Sequence, residues 1–118
     1  MSADIPITSE FDSVDPAPPS EDRNVENLRI TLNDEKQKMF QRMRALFALR
    51  SIGGTDSVEA LAAAFDSNSA LLKHEVAYVM GQMQDPQAVP FLIERLEDVD
   101  EDLMVRHEAA EALGAIGD

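Results

Sequence analysis

The chain has 118 residues, about the length of one domain, which leaves no room for two of ordinary size. Its 23 acids against 10 Lys and Arg give a net charge of −13, a field that repels nucleic-acid phosphates and anionic membrane surfaces. The absence of Cys excludes disulfides, thiolate metal sites and cysteine nucleophiles, and with no Trp, one Tyr and five Phe the core must be largely aliphatic.

In chain order, residues 1–24 hold Pro6, Pro16, Pro18 and Pro19, six acids and one base. With no sustained periodicity, they are expected to form a disordered acidic tail, a lineage-specific extension ahead of a folded part over residues 25–118. The start shows no basic-then-apolar leader. The longest apolar run, 60–65, has six residues against the ~20 of a membrane helix, so a cytoplasmic protein without membrane contact is expected.

A short helix is expected at 25–32. Asn33 and Asp34 are placed to cap a longer one reaching 52, where Gly53-Gly54 stops it. Thr55 or Asp56 caps the next, through 65; the cluster Asp66-Ser67-Asn68-Ser69 opens a third, to 83; Asp85 followed by Pro86 opens a fourth, to 96. A fifth helix covers 103–116 and ends at Gly117. The loop before it, 97–102, has five carboxylates in six positions but lacks the glycine and terminal glutamate of an EF-hand loop, so it reads as a solvated turn.

Self-comparison organises these helices. HEVAYVMGQM at 74–83 matches HEAAEALGAI at 107–116 with an offset of 33, and MRALFALRSI at 43–52 aligns with the former at an offset of 31. A near-constant period of this size predicts an all-α chain, an α-solenoid of about three helix pairs. VRHEAAEALGAIGD at 105–118 resembles the short HEAT-like repeat of the phycobilisome-lyase type, which implies a stacking scaffold.

Helical periodicity puts Leu72, Val76, Val79, Met80 and Met83 on one apolar stripe, and Val105, Ala109, Ala112, Leu113 and Ile116 on its counterpart. Met80 and Met83 read as core filling and Tyr78 as edge packing. His74 with Gly81, and His107 with Gly114, fall opposite the stripes, off the main core. Stacked helices lie about 10 Å apart, so imidazoles at equivalent positions can converge on one ion, with Glu75 and Glu108 reaching it from the side. Ala77, Gly81, Ala110 and Gly114 leave room above that face. Two His with carboxylates and no sulfur suit non-haem iron. The same set would serve a zinc hydrolase or be a solvated ion pair, and residue types alone do not separate these. The first repeat has Met43-Arg44 at this point, so the repeat itself does not demand the dyad.

SALLKHEVAYVMGQMQD at 69–85 together with MVRHEAAEALGAIGD at 104–118 resembles deoxyhypusine hydroxylase; RALFALR at 44–50 with Gly53-Gly54, and AFD at 64–66, resemble that family's opening repeats. The resemblance implies a di-iron monooxygenase that uses molecular oxygen to hydroxylate deoxyhypusine on eukaryotic translation initiation factor 5A, with four His-Glu dyads, two in each half of a pseudo-symmetric solenoid. It implies that His74, His107 and Glu108 ligate one iron, at most one of the two in a complete enzyme, and that Glu75 faces the substrate's amine. Only two dyads are present, so the chain is expected to be the amino-terminal half of a longer solenoid, partnered by a missing carboxy-terminal half or a second copy. The competing expectation is a non-catalytic HEAT-like scaffold whose acidic concave face grips a basic protein partner.

Overall fold

The computed structural model describes residues 17–117. Within them lie six α-helices: α1 (Val25–Leu32), α2 (Met39–Ile52), α3 (Gly54–Ala63), α4 (Ala70–Met83), α5 (Val89–Glu97) and α6 (Leu103–Ile116). They stack as three pairs in two layers, with α2, α4 and α6 packed side by side in one layer and α1, α3 and α5 in the other. The all-α solenoid expected from the repeats is the architecture found. Among the described residues no helix is long and apolar enough to cross a membrane.

Local chemistry sets most helix ends. Ser69 accepts a hydrogen bond from Leu72 N, Asp85 from Gln87 N, and Asp102 from Met104 N and Val105 N, each satisfying N–H groups that a helix start leaves bare. Between α2 and α3 the chain turns through Gly53 at φ +70° and Gly54 at φ +87°, a left-handed region that side chains with a Cβ adopt only at a cost. Pro86 opens a single 3-10 turn (Pro86–Ala88) ahead of α5, where the sequence predicted one helix from Pro86 to about Leu96.

Two boundaries differ further from the sequence reading. Asn33 and Asp34 do not cap α2. Asn33 closes α1 instead, donating its backbone N–H and its side-chain amide to Arg29 O, while Asp34 turns the chain by accepting from Lys36 N, so α2 starts only at Met39. The expected disordered tail is ordered over its last part: Ala17 is buried, Ser20 N donates to Arg44 O at 3.1 Å, and Arg44 Nε donates to Pro18 O at 3.2 Å. The rest of that expectation, residues 1–16, lies outside the described residues.

The core is aliphatic, as the composition required. Leu46, Leu49, Leu61, Leu72, Val76, Met80 and Leu92 are fully buried, with Phe47 the largest side chain among them. A repeated clamp ties α1 to α2 and α5 to α6. Arg42 Nε donates to Leu32 O at 2.8 Å and Arg106 Nε to Leu96 O at 3.2 Å, each reaching a carbonyl ten residues back that its helix end leaves without an intrahelical donor. Lys73, the residue at the same point of the middle repeat, reaches forward instead. Its Nζ donates to Glu101 Oε1 at 2.7 Å, and Arg95 Nη1 donates to Glu101 Oε2 at 2.9 Å.

Glu101 therefore corrects the reading of 97–102 as a solvated turn, because its side chain is only 2% exposed. Burial by itself would raise its carboxyl, but hydrogen bonds from Lys73, the Asp102 N–H and Arg95 outweigh that and hold it below the ordinary 4.5. Lysine and arginine at fixed distance behind the loop were the available signal.

Candidate functional site

The site forms where α4 and α6 meet. A Cβ built on Gly81 would stand 3.1 Å from Ala112 Cα, so the missing side chain is what lets the two helix backbones approach this closely. That approach overturns the expectation that His74 lies off the core. A helical wheel sees only the stripe that α4 turns to its main core, whereas in the stack α4 is covered by α2 on one side and α6 on the other. His74, Glu75, Ala77 and Gly81 are all buried as a result.

Across this contact His74 Nε2 stands 3.1 Å from Glu108 Oε1, with the two side chains only 6% and 12% exposed. The dyads of consecutive repeats are thus brought together as imidazole and carboxylate. Burial pushes the Glu108 carboxyl above its ordinary value, the charge of Glu111 adds to the rise, and His107 works against it. His107 lies elsewhere: its Nε2 pairs with Glu111 Oε2 at 3.1 Å, one turn along α6, and the two side chains are 61% and 62% exposed. The two histidines hold equivalent sequence positions but not equivalent surroundings. Glu75 is fully buried, closed to a substrate arriving from solvent in this arrangement.

Of the four residues singled out from the sequence, the fold therefore joins His74 and Glu108 directly and keeps His107 on the adjacent surface of the same helix. Among the described residues no three His, Asp or Glu side chains are gathered as a metal ion would gather them. The pair that does form fits such an ion in chemistry and spacing. Both donors are nitrogen or oxygen, and 3.1 Å is close to the ~3 Å between neighbouring donors that each sit about 2.1 Å from one ion. For His107 to join them, its ion pair with Glu111 has to open.

Beside the pair, a groove of about 300 Å³ runs along the α4–α6 seam, lined by Tyr78, Gly81, Gln82 and Gln84 on one side and Glu108, Glu111, Ala112 and Ala115 on the other. Gln84, left-handed at φ 54°, ends α4 and donates its side-chain amide to Ala115 O at 3.3 Å, tying the helix ends together. The sequence reading missed this groove because the stripe of small residues and the acids that line it become one surface only after α4 and α6 pair.

Comparison with known proteins decides the family. The sequence pattern of HEAT repeats matches residues 25–103 and 66–118. The chain belongs to the HEAT-repeat family. Among curated HEAT-type relatives, it is 53% identical over 113 residues to deoxyhypusine hydroxylase of Xenopus laevis, covering 96% of this chain and 37% of the relative. To the enzyme of that name from Homo sapiens it is 52% identical over 111 residues, covering 94% and 37%, and to that of Candida albicans 53% identical over 110 residues, covering 90% and 35%. The solved structure of human deoxyhypusine hydroxylase in complex with glycerol superposes with a TM-score of 0.84 at 55% identity, over 88% of this chain and 36% of that one.

The chain thus spans a little over a third of the length of the curated relatives it matches. The match also revises the tail. At 96% coverage only about five residues of this chain lie outside the alignment, so most of residues 1–24 have a counterpart in the frog protein and are no lineage-specific extension.

Proposed function

We propose that this chain supplies one half of the iron site of a cytoplasmic deoxyhypusine monooxygenase acting on translation initiation factor 5A, the other half coming from further repeats of a longer enzyme or from a second copy. The observation that carries this reading is the 3.1 Å approach of His74 Nε2 and Glu108 Oε1, which unites the dyads of two repeats in a largely buried contact. Identity above 50% to deoxyhypusine hydroxylases over most of the chain supports the reading.

His74 and Glu108 would hold the metal, with His107 as third ligand. Bound iron would supply the redox chemistry with which molecular oxygen hydroxylates an unactivated carbon. The remaining work falls to the chain. Close packing at Gly81 and Ala112 fixes the spacing between the helices that carry the two ligands. The part-buried setting of the His74–Glu108 contact strengthens the electrostatic interaction within it. The raised Glu108 carboxyl takes its charged form more readily once a cation is beside it. The net charge of −13 draws in a cationic side chain. The role of Glu75 opposite the substrate's amine rests on the resemblance, and in the arrangement seen here it requires that the amine reach a buried carboxylate.

Anaerobic titration with Fe(II) followed by elemental analysis tests this reading. Wild type should retain iron that the His74→Ala/His107→Ala double variant does not. Equal retention by both would remove the ligand assignment and leave the scaffold that binds a basic partner.

A further inference from the structure

Lys73 departs from its repeat. At that point Arg42 and Arg106 each hold a carbonyl ten residues back, whereas Lys73 reaches 28 residues forward to Glu101. The Glu101 carboxylate is shared three ways: Oε1 accepts from Lys73 Nζ at 2.7 Å and from the Asp102 N–H at 2.8 Å, and Oε2 accepts from Arg95 Nη1 at 2.9 Å. The next residue, Asp102, caps α6. One side chain, 2% exposed, thus joins α4, α5 and the start of α6. A buried ion network gains little over apolar packing of the same volume, but it admits few arrangements. What it fixes here is where α6 begins along α4.

That register is what the contact between the dyads needs. Lys73 directly precedes His74, and Glu108 follows Asp102 by six residues, about 9 Å along α6 at 1.5 Å per residue. Gly81 against Ala112 sets how closely the helices approach, but side chains this small form shallow ridges that resist sliding weakly. At the far end of the seam the tie from Gln84 to Ala115 O is longer, 3.3 Å, and exposed. A slide by one residue's rise, ~1.5 Å, exceeds the ~0.5 Å within which a ligand set must be held. We propose that Glu101 is a positioning residue of the site: gripped by Lys73 and Arg95, it locks the register of α6 on α4 and so holds Glu108 opposite His74. It acts through the two helices that carry the pair. The proposal rests on the reading above only for what the register serves; the register itself exists without metal.

Nuclear Overhauser effects in the metal-free 118-residue chain read the register directly, because a Cβ at Gly81 would lie 3.2 Å from the Ala112 methyl and 3.7 Å from that of Ala115, one turn on. Wild type should show cross-peaks from the Gly81 α-protons to both methyls. Glu101→Ala should change the ratio of the two intensities. Glu101→Gln, which keeps the side chain's shape and guards against loss of the fold, should change it less and in the same direction. Leu61→Val, a buried change on α3 in the other layer, should leave the wild-type ratio. An unchanged ratio in both Glu101 variants, or an equal change in Leu61→Val, would overturn the proposal. In anaerobic titration with Fe(II), Glu101→Ala should bind about tenfold more weakly than wild type, as when the outer support of a metal ligand is lost. The two readings fail separately. If wild type retains no more iron than His74→Ala/His107→Ala, the hydroxylase reading falls and the cross-peak ratio still decides the role of Glu101; if iron depends on both histidines but not on Glu101, the positioning role falls alone.

Discussion

Helices α4 and α6 carry the same dyad at the same point of consecutive repeats, yet His74 is buried against Glu108 while His107 stands in solvent against Glu111. The same contrast separates their glycines. An added Cβ at Gly81 would meet Ala112 Cα at 3.1 Å, and one at Gly114 would meet nothing within 4 Å. It also separates their basic residues, since Lys73 reaches forward to the loop of the next repeat and Arg106 reaches back within its own. In a solenoid a motif's environment is decided by what stacks on its helix, and within its layer α4 is flanked by α2 and α6 whereas, among the described residues, α6 is flanked there by α4 alone and packs across layers on α5.

The largest effect expected on this comparison comes from cutting the forward link. Glu101→Ala leaves Lys73 and Arg95 facing a hole and should cost about 2–3 kcal/mol in urea unfolding. The link also has a pH signature. Because the folded state holds the Glu101 carboxyl below 4.5, its stabilisation is complete above the unfolded value and disappears as pH falls through the lowered folded value. Melting temperatures measured from about pH 7 down to about pH 3 should therefore drop more steeply for wild type than for Glu101→Gln. A matching slope in both would show that other groups carry the acid sensitivity.

Next in size is the glycine pair. Gly81→Val should destabilise by about 1–3 kcal/mol as the helices are forced apart. Gly114→Ala, in open space on a helix, should stabilise by about 0.5–1 kcal/mol. Similar signs at the two sites in a denaturant series would abolish the distinction between the covered and open faces.

The smallest contrast is the most informative about the site. In the absence of metal, His74→Ala removes a buried imidazole from beside the part-buried Glu108 carboxylate and should cost about 1–3 kcal/mol, whereas His107→Ala removes an exposed ion pair and should stay within about 0.5 kcal/mol. Equal costs would mean that the two repeats hold their histidines alike.

The fold was legible because its signals are local or periodic. The offset of 33 between the dyads, the Ser69 and Asp85 caps and the Gly53-Gly54 stop each acts within a few residues or repeats outright. The site was half legible. Periodicity matched His74 with His107 but placed both off the core, because burial of His74 depends on a neighbouring helix that no single wheel includes. Glu101 was missed for a related reason: a run of acids does not reveal which one turns inward toward Lys73 and Arg95. Asn33 was assigned to the wrong helix because the same side chain that can cap a start can also close an end, and here Arg29 O claimed it first.

The short stretch before α1 gives the stack a polarity. At α2 an approaching helix meets chain already bonded in both directions to Arg44, through Ser20 N and Pro18 O. At α6 it meets the bare side chains of Leu103, His107 and Ala110. Trimming the chain to residue 25 would remove both of those bonds and uncover the Arg44 carbonyl on α2.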